Sequence, residues 1–284
     1  MELAQECEKR GDLAGAGAHF RAAADAALEP EQQEIGAEAL RRAAVVCYLQ
    51  SDWDGALALA DRSAKVAEEA GLRDPYGAAM NLAGNVHHAR GDLDAARKTF
   101  EQVLAIAAGD RVRGIALQNL GAIAAQGGSW DLARRRFEQS RKCFQRARYQ
   151  LGEAFAVNNY GRAALDHGNV RLAADLLAEA TSFAARHGDT SLQALASMNY
   201  AEAIFRMGDR AEAERLTSEA LEVFTGSGNT WRRVEALRLL VDLAKAAGDE
   251  ATARSRWSDG LALAEQIGSA VEADSIRRRL TADG

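Results

Sequence analysis

Apolar and small residues recur along this chain at helical spacing, in pairs of segments separated by a turn. In residues 78–109 the first segment carries them on one face of a helix, at Ala79, Leu82, Ala83 and Val86. The second segment continues the spacing at Leu93, Ala96, Phe100, Val103 and Leu104. Gly91 and Asp92 lie between the segments, where glycine suits a left-handed helix end and aspartate can cap the next helix. The pattern predicts two antiparallel helices of about 15–18 residues joined by a tight turn.

The same helix–turn–helix unit recurs at a nearly fixed period. Its turns fall at Gly11, Ser51, Gly91, Gly128, Gly168, Gly208 and Gly248. Each turn is followed five residues later by alanine, at Ala16, Ala56, Ala96, Ala133, Ala173, Ala213 and Ala253. Successive turns are 40 residues apart, except for one interval of 37. A period of this size indicates stacked supersecondary units in place of a single globular core, so we expect an all-α fold.

We expect seven repeats over residues 1–268, followed by a capping helix and tail at 269–284. The last segment has an apolar face that would cover the open end of the seventh repeat, formed by Val271, Ile276 and Leu280. The first helix is shortened, because Met1 lies ten residues before the first turn. The third repeat is three residues short near Gly109, where we expect a local change in curvature.

Small residues lie seven positions before most turns, and large residues lie nine positions after most of them. The first set is Ala4, Ala44, Gly84, Gly121, Gly161, Ala201 and Val241. The second set is Phe20, Ala60, Phe100, Phe137, Leu177, Thr217 and Trp257. Small side chains let two helices approach to the short end of the usual spacing of about 8–10 Å. We expect the large side chains to fill the gap towards the next repeat.

This pattern resembles the tetratricopeptide repeat, in its long form. The fourth repeat carries the family's positions as Leu120, Gly121, Gly128, Ala133, Phe137 and Ser140. The proline that the family places at the end of the second helix is missing from every repeat. Phrases such as ALQNLGAIAAQGG look like the long repeats of bacterial regulatory proteins and kinesin light chains. The resemblance implies a right-handed α-solenoid with a C-terminal capping helix, and the motif specifies the fold alone.

In the family that the chain resembles, the first helix of each repeat lines a concave groove. The groove stripe would fall ten, six and three residues before each turn, since these positions share one helical face. With flanking positions, the candidate peptide-binding residues are Arg41, Tyr48, Asn81, Asn85, His88, Gln118, Asn119, Asn158, Asn159, Arg162, Asn199 and Glu202. We expect the ligand mainly at repeats three to five, where the stripe is polar and rich in asparagine.

Six asparagines lie at or beside this stripe, although asparagine is a poor residue for a helix interior. A carboxamide both donates and accepts hydrogen bonds, so it can pair with an extended peptide backbone. Adaptors that resemble this family hold peptides with such an asparagine ladder. For Asn81, Asn85 and Asn158 we favour ligand contact. For the three asparagines nine residues before a turn, an equal alternative is bonding between neighbouring helices, which would hold the stack in register.

Composition and motifs argue against several classes of function. The net charge of −6 argues against direct nucleic-acid binding, which normally needs a basic surface. No apolar run is long enough to span a membrane, and the first residues lack the apolar stretch of a signal peptide. Cys7, Cys47 and Cys143 have neither metal-ligand nor disulfide spacing, which suits a reducing cytoplasm. No HExxH motif or phosphate-binding loop is present, and we expect no cofactor and no metal.

Residues 134–148 carry seven basic side chains against one acidic side chain, Glu138. This run is either a docking patch for an acidic partner or a solvated helix face.

The leading hypothesis is a non-enzymatic scaffold or adaptor that binds a protein or an extended peptide in the groove. The alternative is a ligand-sensing or regulatory module of a bacterial transcription or signalling protein, with this chain either a fragment of that protein or acting in trans. A more remote alternative is an enzyme on the same fold, with Arg162, Asp166, Glu202 and His88 in one pocket. The pattern is compatible with a homo-oligomer but does not fix the oligomeric state.

Overall fold

Helices make up all the regular structure in the part of the chain that this computed structural model describes. The described residues are 1–9, 12–27, 29–106, 109–266 and 270–282. They form fifteen α-helices and one short 3₁₀ turn in a repeated arrangement, which confirms the all-α solenoid class. None of these helices is both long and apolar enough to cross a membrane. The chain divides into two compact units, Met1–Glu153 and Ala154–Gly284.

The first unit consists of four helix pairs. Its helices are α1 (Glu2–Lys9), α2 (Leu13–Ala26), α3 (Gln33–Leu49), α4 (Trp53–Glu69), α5 (Arg73–Ala89), α6 (Leu93–Ala105), α7 (Asp110–Gln126) and α8 (Trp130–Arg146), with the 3₁₀ turn Pro30–Gln32 before α3. The two helices of each pair pack side by side, and the first helices α3, α5 and α7 also contact one another in sequence. The turn predicted at Gly11 lies outside the described residues.

The second unit contains most of α9 (Gln150–Asp166), which begins in the first unit. The helices that follow are α10 (Val170–Arg186), α11 (Thr190–Arg206), α12 (Arg210–Gly226), α13 (Thr230–Ala246), α14 (Glu250–Gln266) and α15 (Ala270–Ala282). Ile276 of α15 is buried in a cluster with Trp257 of α14, which is the contact expected of a capping helix. Gly268, Ser269 and the side chain of Val271 lie outside the described residues.

The turn between the two helices of a pair contains a left-handed residue, as the sequence predicts. Gly91 has φ +80°, and glycine has positive φ at the corresponding positions of the later pairs. Asp92 then caps α6, because its side chain accepts a hydrogen bond from the backbone N–H of Ala95 at 3.0 Å. Ser51 adopts φ 61° at the same place in an earlier pair, without the conformational freedom of glycine.

In three pairs the two helices are in close contact at a glycine that lies seven residues before the turn. A Cβ atom added to Gly84 would lie 2.5 Å from the ring of Phe100, nine residues after the turn. The corresponding distances are 3.0 Å for Gly121 with Phe137 and 2.6 Å for Gly161 with Leu177. The large side chain therefore packs against the first helix of its own pair, in addition to the expected gap between this pair and the next. Phe100 does both, since it also joins a buried cluster with Val112 and Ala116 of α7.

Buried serine hydroxyls also join the two helices of a pair, and they lie on the second helix three residues after the position of the large side chain. Ser63 Oγ donates to the carbonyl of Ala37 at 2.7 Å, and Ser140 Oγ donates to the carbonyl of Gly114 at 2.7 Å. Both serines lie twelve residues after a turn. Each bond contributes about 0.5–1.5 kcal/mol and fixes how far one helix slides along the other.

Helix α6 is the short second helix of the third repeat. It has 13 residues, against 17 in α8, which agrees with the deletion that the sequence places near Gly109. Residues 107 and 108 lie outside the described part of the chain. The local change in curvature expected there stays a prediction.

Replacing Ser51 with glycine should stabilise the first unit. A residue with a side chain is strained at φ 61°, whereas glycine adopts this conformation freely. We expect the free energy of unfolding to rise by about 0.5–1 kcal/mol in urea denaturation. The matched control is Ser129→Gly, because Ser129 has φ −89° and its side chain makes no capping bond. A gain of the same size in the control would contradict this explanation.

Replacing Gly84 with alanine should destabilise the first unit by about 1–3 kcal/mol, because the new methyl group overlaps the Phe100 ring. Gly127→Ala is the control, since its Cβ would lie an ordinary 3.5 Å from the nearest atom. We expect the control to change the free energy of unfolding by less than about 0.5 kcal/mol. Urea denaturation of both variants checks this, and a Gly84→Ala variant as stable as the control would rule out the close contact.

Candidate functional site

A cavity of about 500 Å³ opens in the second unit, among the first helices of its three pairs. Its lining comes from α9, α11 and α13 and consists of Asn158, Asn159, Arg162, Leu195, Met198, Asn199, Glu202, Arg232, Glu235, Arg238, Leu239 and Asp242. Nine of these residues lie ten, nine or six positions before a turn. Those positions share one face of each helix, so the repeat itself places them together.

Asparagine side chains link α9 to α11 at the edge of the cavity. Asn158 is 2% exposed, and its Oδ1 accepts a hydrogen bond from Asn199 Nδ2 at 3.0 Å. Its Nδ2 donates to Asn159 Oδ1 at 3.1 Å. Asn159 is only partly buried. The Asn158 carboxamide therefore holds two helices in register, and Asn159 is the more accessible amide of this group.

Charged side chains form pairs across the cavity lining. Arg162 of α9 donates to Glu202 of α11 and to Asp166, one helical turn away from it. Burial opposes the charge of Arg162, but the hydrogen bonds that it donates to these two carboxylates, and their negative charges, raise the pKa of its guanidinium. In α13, Arg232 Nη1 donates to Glu235 Oε2 at 2.6 Å. Arg162 thus pairs with Asp166 on its own helix, and its bond to Glu202 adds a link between helices.

Asp242 carries an incompletely compensated negative charge in this lining. Partial burial raises the pKa of its carboxyl group above the ordinary value, and the charge of Glu202 acts in the same direction. Arg279, Arg238 and Lys245 oppose the shift without cancelling it. A ligand cation against Asp242 would reduce the cost of its charge.

Asn81, a candidate in the first unit, is 3% exposed. Its Nδ2 donates to the carbonyl of Val112 at 3.0 Å, which links α5 to α7. Its Oδ1 is buried and has no hydrogen-bond partner among the described residues. The sequence favoured ligand contact for Asn81 and Asn158, but both are buried and bonded between helices. Both therefore also link neighbouring helices, and Asn158 lines the cavity as well, so ligand contact stays a prediction.

Other candidates of the first unit lie on the same helices and are partly exposed. Asn85 Oδ1 accepts a hydrogen bond from Asn119 Nδ2 at 2.8 Å, and His88 Nε2 lies 3.1 Å from Gln126 Oε1. Both bonds connect α5 to α7. Gln118 lies on α7 beside Asn119 and is half-buried. The structure therefore brings these predicted residues together along two adjacent first helices.

Arg41 and Tyr48 lie earlier in the first unit, on α3. Arg41 pairs with Glu38 through two hydrogen bonds of 2.8 and 2.6 Å. Burial opposes the charge of Glu38, but hydrogen bonds from Arg41 and Arg42 bring the pKa of its carboxyl group below the ordinary value. The Tyr48 ring meets Trp53 edge to face, with centroids 5.3 Å apart. Both candidates are half-buried and engaged with side chains of their own pair.

One known protein family is similar to part of this chain. Residues 36–108 match the family model of the tetratricopeptide repeat. This match covers about a quarter of the chain, and over those residues the repeats are similar to tetratricopeptide repeats. A search of curated protein sequences finds no significant match.

Several solved structures share this tetratricopeptide-repeat fold. The apo form of RapI is 12% identical with a TM-score of 0.70, over 93% of this chain and 96% of that chain. A Rap protein complexed with Competence and Sporulation Factor is 16% identical with a TM-score of 0.61, over 99% and 72%. A signal transduction ATPase with a tetratricopeptide repeat sensor from Pyrococcus horikoshii is 14% identical with a TM-score of 0.61, over 89% of this chain and 39% of that one. At these identities the likeness concerns the fold alone.

The register of the repeats explains most of the cavity lining, but the cavity lies further along the chain than the expected ligand site. The sequence led us to expect the ligand mainly at repeats three to five, whereas this cavity lies at repeats five to seven. Five predicted residues meet there, namely Asn158, Asn159, Arg162, Asn199 and Glu202. Arg238 and Asp242 lie ten and six residues before the turn at Gly248, so they belong to the same stripe in the seventh repeat. Arg232 lies sixteen residues before its turn, outside the stripe, and no pattern in the sequence identifies it.

Two cysteines of the described part of the chain are buried. Cys47 and Cys143 are buried free thiols, and burial raises the pKa of both, which lowers their reactivity. Among the described residues, no three histidine, cysteine, aspartate or glutamate side chains are grouped to hold a metal ion.

Replacing Asp242 with asparagine should raise the melting temperature at pH 7. Because the folded state raises the pKa of Asp242, its contribution to stability is present at low pH and is lost as the pH rises through the folded pKa. Asparagine stays neutral, so its advantage should shrink as the pH falls to about 4. Thermal unfolding at both pH values measures the difference. The control Glu222→Gln removes an exposed carboxylate outside the cavity, and an equal gain in it would contradict the assignment.

Proposed function

We propose that this chain is a non-enzymatic binding module that holds a peptide or protein segment against the first helices of its repeats. The observation that carries this proposal is the cavity of the second unit. The first helices of three successive pairs line it with side chains from the same positions of the repeat. Its lining includes three arginines and three carboxylates, so it has no large excess of either charge.

A lining of this kind suits a peptide better than a small apolar molecule. Drug-like ligands usually occupy pockets lined mainly by apolar side chains, whereas this lining is mostly amide and charged. Amides such as Asn159 can pair with the N–H and C=O groups of an extended backbone. Leu195 and Met198 offer apolar contact between the polar groups. The arginine guanidinium groups can bind acidic side chains of the ligand, and the Asp242 carboxylate can bind a basic side chain.

The partly exposed candidates of the first unit belong to the same proposal, as a further contact surface on α3, α5 and α7. They are Arg41, Tyr48, Asn85, His88, Gln118 and Asn119. Asn81 would act indirectly, by fixing the position of α5 against α7. We propose a protein or peptide partner in the cytoplasm, without direct contact to nucleic acid or membrane. Buried free thiols and a net charge of −6 support that setting.

The structure of a Rap protein complexed with Competence and Sporulation Factor supports binding as the use of this fold. A second candidate function is a ligand-sensing module of a larger regulator. The Pyrococcus horikoshii ATPase, in which tetratricopeptide repeats serve as the sensor, favours that candidate. This chain spans 39% of that protein, so the activity of the whole ATPase is not carried over.

A peptide selection with a matched pair of charge swaps tests the proposed function. Peptides would be selected from a random displayed library on the purified full chain, and a synthetic selected peptide measured by fluorescence anisotropy. The variant Arg238→Asp/Asp242→Arg exchanges a cation and an acid four residues apart in the cavity lining. We expect the dissociation constant to rise at least tenfold, a loss of about 1.4 kcal/mol.

The control Arg215→Glu/Glu219→Arg makes the same exchange at the same spacing, in an exposed ion pair of α12 outside the cavity. It should leave the affinity unchanged within about twofold, which is under 0.5 kcal/mol. Equal weakening in both variants, or a selection that yields no binding peptide, would contradict the proposal. Single amino acids that bind as tightly as the selected peptide would favour the sensing module instead.

A further inference from the structure

A second cavity, of about 270 Å³, lies in the first unit among α6, α7 and α8. It is lined by Leu104, Arg113, Leu117, Arg136, Gln139, Lys142, Cys143 and Arg146. None of the candidate groove residues is among them, and the cavity of the second unit shares no residue with it. The short helix α6 ends at Ala105, so its C-terminal turn borders this space.

The lining of this cavity is strongly basic. It includes four cationic side chains and, among the described residues, no carboxylate, in a chain whose net charge is −6. Asp110 lies next to the cavity and is held by Arg146 through two hydrogen bonds of 2.8 and 2.6 Å. Arg113 Nη1 donates to the carbonyl of Leu104 at 3.1 Å. Asp110 thus balances one of the four positive charges, and a clear excess remains.

Arg136 and Lys142 are the two cationic side chains of this lining that are available to bind an anion. Among the described residues neither has an ion-pair partner, and both lie on α8 with Gln139 between them. Positions 136, 139 and 143 are three and four residues apart, so they face the cavity from one side of the helix. Leu104 and Leu117 supply an apolar wall, and Leu117 is 5% exposed.

We propose that this cavity binds the phosphate group of a small phosphate monoester. Two cations without internal partners match a dianionic group, and an arginine fork suits phosphate oxygens. The positive field of Arg113 and Arg146 adds to the attraction at short range. The apolar wall suits a small organic substituent on the phosphate. Burial raises the pKa of the Cys143 thiol above its ordinary value, which disfavours a competing thiolate charge.

Isothermal titration calorimetry of the purified full chain with phenyl phosphate tests this proposal. We expect a dissociation constant of about 1 mM or tighter, and one at least tenfold higher for Arg136→Ala/Lys142→Ala. The matched control is Arg134→Ala/Arg135→Ala, which removes the same charge from exposed positions of α8 outside the cavity. The control should bind within about twofold of the original chain. Circular dichroism melts confirm that both variants fold.

Three results would overturn the proposal. One is the absence of heat of binding with phenyl phosphate at a concentration of about 10 mM. Another is equal weakening in the control, which would show a general effect of charge on α8. The third is benzoate binding as tightly as phenyl phosphate, since the cavity would then recognise a carboxylate. The charge swap at Arg238 and Asp242 should leave phenyl phosphate binding unchanged, so this site and the peptide site fail independently.

Discussion

In three of the helix pairs, a contact between a glycine of the first helix and a large side chain of the second organises the pair. In the third repeat the Phe100 ring occupies the space that a side chain at Gly84 would need. Two helices can approach this closely only where one of them has no Cβ atom, so the contact fixes which faces meet. These contacts bury one face of the first helix. The residues ten, nine and six positions before the turn lie on its other face, next to the first helices of neighbouring pairs. The cavity of the second unit arises at those positions.

The first helices of neighbouring pairs contact each other through amide and charged side chains. The buried side chains hold the helices in register, whereas the exposed ones are open to a ligand. A buried amide must find partners, because an unpaired one costs about 1–3 kcal/mol. Asn158 finds them in Asn159 and Asn199, and this bonding favours one register between α9 and α11. Asn81 pairs through its nitrogen alone. The side chains most open to a ligand are therefore the neighbours of these buried amides, such as Asn159.

The sequence predicts the local structure well and the depth of each side chain poorly. The turns, the cap by Asp92 and the helix faces follow from short-range chemistry that the repeat displays seven times. Periodicity gives the direction in which a side chain leaves its helix, but it does not show how far a neighbouring helix covers that side chain. It therefore could not separate buried Asn81 from half-buried Asn85. It also could not show that the basic run on α8 would border a cavity, because that depends on where α6 ends against α7.

Local charge therefore decides more about the partners of this chain than its net charge of −6. At physiological ionic strength a charge is screened beyond about 8 Å, so distant acidic residues act weakly on a group inside a cavity. The cavity of the second unit holds both signs in equal number and suits a ligand that carries both, as peptides do. The cavity beside α8 lies under the field of its own four cations and suits a small anion. The net charge still opposes a long polyanion such as nucleic acid, because that ligand would extend beyond the basic cavity over the rest of the surface.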